Sequence, residues 1–477
     1  MEWLPFSTAY DPSEDPPGSI DPLGTLSEAE RLADIILPGF TVRMWRPRLL
    51  TYAAVTSVIA DRAVNLTGRE EDRLPARLVF ERLFVASVVR LAEQFPEDYR
   101  KAGDRLPGRT LAEKARLHNE PLRSANFLRG QAVNGPFGIM ARLSKSLGLI
   151  DADGRKGRAA DNLILAWSGD EGLADFLEDP RQADGAGAVW AKKITQTVVD
   201  GLGKNGGWPT SNQDVWELLA GKLRPAPLRA GRERKSIVAA MNADPVRRRM
   251  LELLRSPRSL DAYRDDLKNE RGAFERTVLI DAVAPLLERE EPVDRIIATC
   301  LRAIDGYEKA AAVLQQIFDA LVWGLGQKSG QASKDEILQL PPVARAIERA
   351  VIKARRVEKE LIDIIADLQH ATLLNASARA QAIELIRDDI VLCATSVESA
   401  VTTVMNRHQR IQRGKRKAAW IDYGPVWILM AGHGTDDDRP TEYQNVFLHP
   451  MRIVNGFSFL RELGLAQIPT MALADEN

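Results

Sequence analysis

The sequence predicts a mainly α, multidomain helical protein with an embedded winged helix-turn-helix, a long antiparallel helical hairpin and a small α+β C-terminal cap. Three observations support this fold class. Apolar residues recur at helical spacing through most of the chain, a basic amphipathic segment is followed by a glycine-bearing turn, and two helical stretches of about 30 residues adjoin late in the sequence.

Size and composition indicate a globular protein that needs no disulfides or structural metals to fold. The 477 residues suffice for about two to four domains. Of these residues, 45% are hydrophobic and 27% charged, and 65 Lys and Arg balance 66 Asp and Glu, so any surface that attracts nucleic acid must be local. Cys300 and Cys393 both lie in apolar helical patterns, which indicates buried hydrophobes in a reducing compartment. The acidic, proline-rich start of the chain and the lack of a long apolar run predict a cytoplasmic protein without a membrane span.

The pattern of prolines, glycines and helical segments divides the chain into consecutive regions. We expect an extended arm at 1–25, an N-terminal helical domain at 26–108, a winged-helix domain at 109–178, a small helical region at 188–260, a long-helix domain at 261–417 and an α+β cap at 418–477.

The winged module is predicted from the stretch between Asn134 and Trp167. A helix opens at Gly135 and Pro136 and stops at Gly148, and the apolar runs Leu149–Ile150 and Leu163–Trp167 flank a polar turn, as in a β-hairpin. Lysine and arginine displace counterions from a duplex, so basic residues on the helix and the hairpin tip are candidate phosphate contacts. These candidates are Arg142, Lys145, Arg155, Lys156 and Arg158.

The hairpin and the cap are predicted further along the chain. Val343–Leu374 and Ala376–Ile411 form two long helical stretches joined by a short polar turn. Beyond residue 418, Trp420–Leu429 and Tyr443–Phe447 have the composition of strands, and Met451–Leu463 returns to helix.

A second cationic run, NRHQRIQRGKRKAAW, lies between the hairpin and the cap. A block of like charge is usually a solvated face or an interaction tail, but here it separates two folded segments, where ordering the cations requires counter-charge. We favour nucleic acid over an acidic protein as that counter-charge. The candidate residues are Arg410, Arg413, Lys415, Arg416 and Lys417.

Arg43, Arg46 and Arg48 alternate with other residues in LPGFTVRMWRPRLLTY. Locally, these arginines either cap the first helix or pair with acids of the arm. The LPG followed by T-x-R-x-x-R-x-R and an aromatic resembles an N-terminal signature of poorly characterised, mostly helical proteins encoded among bacterial anti-phage genes. The resemblance implies a subunit role in a defence assembly and supplies no catalytic residues.

The sequence contains no complete catalytic motif and no recognisable cofactor site. His433, close to Asp436, Asp437 and Asp438, is the one grouping that could hold a cation or exchange a proton. Asp261, Asp266 and Lys268 loosely imitate a nuclease motif, but they lie in a predicted helix with no strand to present them to Mg²⁺.

These patterns predict a non-catalytic DNA-binding and scaffolding subunit of a bacterial multiprotein system. Its expected partners are nucleic acid, with duplex DNA first, and other subunits that supply an ATPase or nuclease. One alternative is a protein-docking adaptor, similar in architecture to the kleisin-like subunits of SMC complexes. The other is a metal-dependent nuclease assembled around His433.

Overall fold

A computed structural model describes residues 21–96, 106–179, 182–202, 213–225, 227–269, 274–288, 290–370, 376–430, 443 and 446–468. The chain divides into two compact units, each formed by two separate stretches. We call residues 1–35 and 265–451 the long-helix unit, and residues 36–264 and 452–477 the bundle unit.

The described elements are almost all helices, which confirms the mainly α fold class. The first twelve described α-helices are α1 Leu26–Ile36, α2 Leu49–Thr67, α3 Arg73–Gln94, α4 Arg109–Leu117, α5 Gln131–Asn134, α6 Pro136–Ser146, α7 Ala160–Asp170, α8 Ala186–Leu202, α9 Gln213–Leu223, α10 Arg232–Met241, α11 Pro245–Leu254 and α12 Pro257–Asn269. An irregular helical segment, Phe274–Leu286, precedes α13 Pro292–Gln327, β1 Gln331–Ala332, α14 Lys334–Leu338, α15 Pro341–His370, α16 Ala376–Cys393, α17 Val397–Lys415, β2 Ile421–Tyr423, β3 Trp427–Leu429 and α18 Ile453–Glu462.

The core of the bundle unit forms around α2 and α3. Residues 49–60 of α2 are buried on every face, since α3, α6, α7 and α8 all pack against this helix. Tyr52 stacks on Phe80 and Phe84 of α3, and Trp167, Phe176 and Trp190 form a second aromatic cluster. Burial of such large rings contributes much of the stability of a helical core.

The predicted strand at Leu163–Trp167 is wrong, because this stretch lies inside α7. Ala160, Leu163, Ile164 and Trp167 are buried at intervals of three and four residues, whereas Leu165 is exposed, so the apolar run has the spacing of a helix. The predicted wing is reduced to a tight turn closed by a single antiparallel bridge between Ile150 and Lys156.

The long-helix unit is organised by α13, which spans about 54 Å at 1.5 Å per residue. Helix α15 packs along it, α16 packs on α15, and α17 contacts all three. Cys300 and Cys393 are free and buried, as predicted, and burial raises the pKa of each thiol to about 12. Both side chains are therefore neutral hydrophobes at physiological pH.

The second arm of the predicted hairpin is two helices rather than one. Helix α16 ends at Cys393, and α17 begins after Ser396, whose hydroxyl accepts a hydrogen bond from the Ser399 amide at 3.1 Å. A serine N-cap of this kind satisfies an amide at the new helix start. The first arm, α15, is continuous from Pro341 to His370.

The small sheet has the order β1-β3-β2 and is antiparallel throughout. Both strands predicted within Trp420–Leu429 are present, and the sheet packs on α13. The strand predicted at Tyr443–Phe447 is wrong, since the described Tyr443, Val446 and Phe447 lie outside any strand. Residues 331–332 form the third strand, after a turn at Gly330 whose carbonyl accepts from the Leu429 amide at 2.8 Å.

Among the residues that the structure describes, no helix combines the length and the apolar character needed to cross a bilayer.

Candidate nucleic-acid interface

The first set of predicted contacts lies on α6 and the turn that follows it, in the bundle unit. Three of its five cations have partners within the protein. Lys145 Nζ donates to the Ala152 carbonyl at 2.9 Å, Arg155 lies 2.8 Å from a Glu70 oxygen, and Lys156 lies 2.6 Å from an Asp161 oxygen. The exposed ion pairs offset much of the positive charge of α6 and the turn that follows it.

The other two cations of this set, Arg142 and Arg158, are exposed. Arg158 has no ion-pair partner among the described residues, whereas Arg142 has an interaction of its own. Asp151 and Asp153 are exposed in the same turn and reduce its net charge further. The turn therefore presents a mixed surface with a small positive excess.

The second set lies at the carboxyl end of α17, in the long-helix unit. The helix ends in a Schellman motif, in which the amides of Arg416 and Lys417 donate to the carbonyls of Arg413 and Gln412. Arg416 has the left-handed φ of 56° that this motif requires, a conformation that glycine adopts at lower cost. An exposed arginine thus occupies a position where the backbone alone would favour glycine.

Contacts to residues 21–23 anchor this helix end. Arg407 is buried, donates through Nε to the Leu23 carbonyl at 2.7 Å and pairs with Asp389. His408 Nδ1 lies 3.0 Å from the Pro22 carbonyl, and its Nε2 lies 2.9 Å from the Trp420 amide. Because an amide can only donate, Nε2 is the acceptor and Nδ1 carries the proton. His408 is therefore a structural histidine.

Exposed cations project from the anchored end. Arg410 is 65% exposed and lies 3.5 Å from an Asp389 oxygen, and Arg413 donates to the neutral Gln409 amide oxygen at 3.2 Å. Lys415 contacts Asp21. Arg416 and Lys417 are exposed and have no ion-pair partner among the described residues. Positive charge near a helix carboxyl end also stabilises the helix, and that is the structural role of these residues.

The three arginines of the LPG motif connect distant parts of the bundle unit. Arg43 donates to the Asn134 amide oxygen at 2.7 Å, Arg46 lies 2.8 Å from a Glu462 oxygen, and Arg48 lies 2.6 Å from Glu171 and 3.3 Å from Glu233. The acidic partners of Arg46 and Arg48 are far along the chain, and local sequence reasoning did not anticipate them.

The predicted catalytic groupings give no described site. His433 and Asp436–Asp438 lie outside the described residues, as do the side chains of Asp266 and Lys268. Within the described part of the chain, no group of His, Cys, Asp and Glu side chains could hold a metal ion.

One arrangement that the sequence did not reveal joins Thr25, His449 and Glu308. The Thr25 hydroxyl lies 3.1 Å from His449 Nε2, and His449 Nδ1 lies 2.7 Å from a Glu308 oxygen. The order hydroxyl, imidazole, carboxylate is that of a hydrolase triad. Thr25 is only 2% exposed, so the arrangement ties the start of α1 to α13 and offers a substrate no access.

We found no match to this chain among protein-family models, curated proteins or solved structures.

Proposed function

We propose that this protein is a nucleic-acid-binding subunit of a bacterial multiprotein system and that the basic end of α17 contacts the phosphate backbone of duplex DNA. The observation that carries the proposal is the set of exposed cations, Arg410, Arg413, Arg416 and Lys417, on a helix end held rigidly by buried contacts. Because the backbone of this helix end is already fixed, less chain ordering accompanies phosphate binding. The resemblance of the LPG motif supports a role in anti-phage defence.

Two features favour the α17 end over the turn after α6 as the main contact. The turn has acidic residues within it and ion pairs to Glu70 and Asp161, and these must be broken or shared when phosphate binds. At the α17 end, Arg413 has a neutral hydrogen-bond partner, and Arg416 adopts a left-handed backbone conformation. Backbone strain retained at an exposed charged residue is typical of functional sites.

A triple variant of α17, Arg413→Gln, Arg416→Gly and Lys417→Gln, tests the proposal. Glycine removes the Arg416 charge and suits the left-handed backbone, so the helix end remains folded. If each side chain neutralises one phosphate, the slope of log binding constant against log salt falls in magnitude by about 3 for duplex DNA. Fluorescence anisotropy with a labelled duplex at several salt concentrations measures this slope.

Two matched variants complete the experiment. Removing three exposed cations elsewhere in the long-helix unit, Lys328, Arg345 and Lys359, should leave the slope unchanged. Replacing Arg155, Lys156 and Arg158 with glutamine should change it by less than the α17 variant does, since two of these cations already have acidic partners. An unchanged slope in the α17 variant would contradict the proposal.

A second candidate function, the protein-docking adaptor, is favoured by exposed apolar residues on the hairpin. Ile352 and Ile362 on α15 and Leu385 and Leu392 on α16 are all exposed. Leu385 and Leu392 are two turns apart and share one face of α16. Such residues on a helical surface are candidates for docking a partner protein.

We expect an adaptor to retain its ATPase partner after nuclease treatment of the native complex. The double variant Leu385→Gln and Leu392→Gln should lose that partner, because two apolar contacts are removed from one helix face. Leu66→Gln with Leu117→Gln, two exposed leucines of the bundle unit, is the matched control. Loss of every protein partner on nuclease treatment would instead show that DNA bridges the complex, which argues against the adaptor.

A further inference from the structure

A cavity of about 440 Å³ lies in the long-helix unit, beside α13 and α15. One wall contains Asp305, Glu308 and Lys309 of α13, and another contains Lys353 and Arg356 of α15. The described residues Tyr443, Val446 and Phe447 also line it. Its volume is in the range of cavities that enclose small organic ligands.

The carboxylates of this cavity have donors within the protein. Glu308 is buried and accepts from the Leu448 amide at 2.6 Å and from His449 Nδ1 at 2.7 Å. Lys309 Nζ lies 2.9 Å from Asp305 and 2.7 Å from Glu360. Asp305 and Glu360 therefore pair with Lys309, and Glu308 is hydrogen-bonded inside the fold, which makes these acids poor receptors for a cationic ligand.

Among the described residues that line the cavity, four are cations, Arg276, Lys309, Lys353 and Arg356, and three are acids, Asp305, Glu308 and Glu360. Arg276 lies 3.4 Å from Asp305, and Lys353 donates to the neutral oxygens of Gln316 and Tyr443 at 3.0 and 3.2 Å. Arg356 is exposed and has no ion-pair partner among the described residues. A guanidinium without an ion-pair partner is complementary to a carboxylate or phosphate, which it binds through two parallel hydrogen bonds.

Apolar side chains also line the cavity, and they indicate an apolar part in the ligand. Val313, Val357, Val446 and Phe447 line it, and the Tyr443 hydroxyl is already bonded to Asp319 at 2.6 Å. Phe447 and the valines offer an apolar surface against which a flat ring can pack. We propose that this cavity binds a small aromatic molecule bearing one oxyanion group, with Arg356 receiving the oxyanion.

Titration of the full chain with phenyl phosphate and with benzoate tests the proposal, with ligand-observed NMR as the measurement. We expect saturable binding of at least one of the two probes, and the tighter probe identifies phosphate or carboxylate as the preferred group. Arg356→Gln should raise the dissociation constant about fivefold to tenfold, since it removes a charge-assisted hydrogen bond near the surface. Benzyl alcohol, which has the ring without the charge, should bind more weakly than either probe.

Arg345→Gln is the matched control. Arg345 is an exposed arginine on the same helix, eleven residues and about 16 Å away along the axis, outside the cavity. The Arg345→Gln variant should bind both probes with the affinity of the unmodified protein. Failure of both probes to bind, or equal affinity in Arg356→Gln, would overturn the proposal. Neither variant changes residues 410–417, so this outcome is independent of DNA binding by α17.

Discussion

Replacing Arg48 with methionine should lower the free energy of unfolding of the bundle unit by about 3 to 5 kcal/mol. The Arg48 side chain is 9% exposed and the Glu233 side chain 6%, and the two lie 3.3 Å apart. Arg48 also lies 2.6 Å from Glu171. Removal of the guanidinium therefore leaves a buried carboxylate without its cation, a change that costs far more than the loss of a surface ion pair.

The titration of Glu233 adds a pH dependence to this expectation. Burial raises the pKa of Glu233, the Arg48 charge opposes that rise, and the nearby Glu171 adds to it. Without Arg48 the pKa of Glu233 rises further, so Glu233 can be protonated in the folded variant at mildly acidic pH. The destabilisation should be smaller there than at pH 8.

Hydrogen exchange of peptides from α2 measures the free energy of opening within the bundle unit alone, which avoids a two-state assumption for a chain of two units. The matched variant is Arg48→Met with Glu233→Gln, which removes both charges. It should recover a large part of the loss, because glutamine can still accept the hydrogen bond that Thr51 donates at 2.7 Å. A loss below about 1 kcal/mol in the single variant would show that the carboxylates are solvated.

The bundle unit and the hairpin show which features of the fold the sequence alone could predict. Apolar spacing correctly predicted that helices dominate, and it placed the long first arm of the hairpin at α15. It failed at Leu163–Trp167, because a short apolar run fits a strand or a helix equally well until its packing partners are known. It also left the partners of Arg46 and Arg48 unassigned, since Glu171, Glu233 and Glu462 are more than a hundred residues away.

The candidate site, too, was predictable from the sequence only in part. The cations of α17 and of the turn after α6 are visible in the sequence as runs of like residues. Whether each cation has an acidic partner depends on the tertiary fold, as the contact of Arg155 with Glu70 illustrates. The cavity beside α13 and α15 had no sequence signal, because its lining residues come from separate segments without a motif.

Raising the pH from 4.5 to 8 should destabilise the native protein by about 3 kcal/mol relative to a Glu81→Gln variant. Glu81 lies on α3, is 1% exposed, and accepts hydrogen bonds at 2.8 Å from the Phe137 amide and from the Gln131 side chain. Burial raises its pKa from 4.5 to about 7, although both hydrogen bonds and the charges of Arg82 and Arg77 oppose the rise. A shift of this size corresponds to about 3 kcal/mol.

The local geometry explains why a carboxylate is buried here. Phe137 is the second residue of α6, whose N-cap, Gly135, has no side chain to accept the helix amides. Glu81 from α3 takes that role, and a Cβ on Gly135 would lie 1.9 Å from a Glu81 oxygen. An acceptor near the positive end of the helix dipole is stabilising whether or not it is charged. Burial raises the pKa of the Tyr52 hydroxyl, and the charge of Glu81 adds to that rise.

The sign of the pH effect follows from the direction of the shift. The folded state binds the Glu81 proton more tightly than the unfolded chain does, so protonation favours folding. This contribution is complete below about pH 4.5 and is lost as the pH rises through 7. Glutamine does not titrate, so the free energy of opening of α3 and α6 in the variant lacks this loss.

Hydrogen exchange of α3 and α6 peptides at pH 4.5, 6, 7 and 8, corrected for the intrinsic pH dependence of exchange, measures the difference. Glu93→Gln, which changes an exposed glutamate of the same helix, is the matched control and should follow the native protein at every pH. Because a constant offset from the altered hydrogen bonds would appear equally at all pH values, only the slope reports the titration of Glu81. Parallel curves for the native protein and Glu81→Gln would mean that Glu81 titrates alike in the folded and unfolded chains, and the buried carboxylate would then have to be fully compensated by Arg77, Arg82 and the α6 amide.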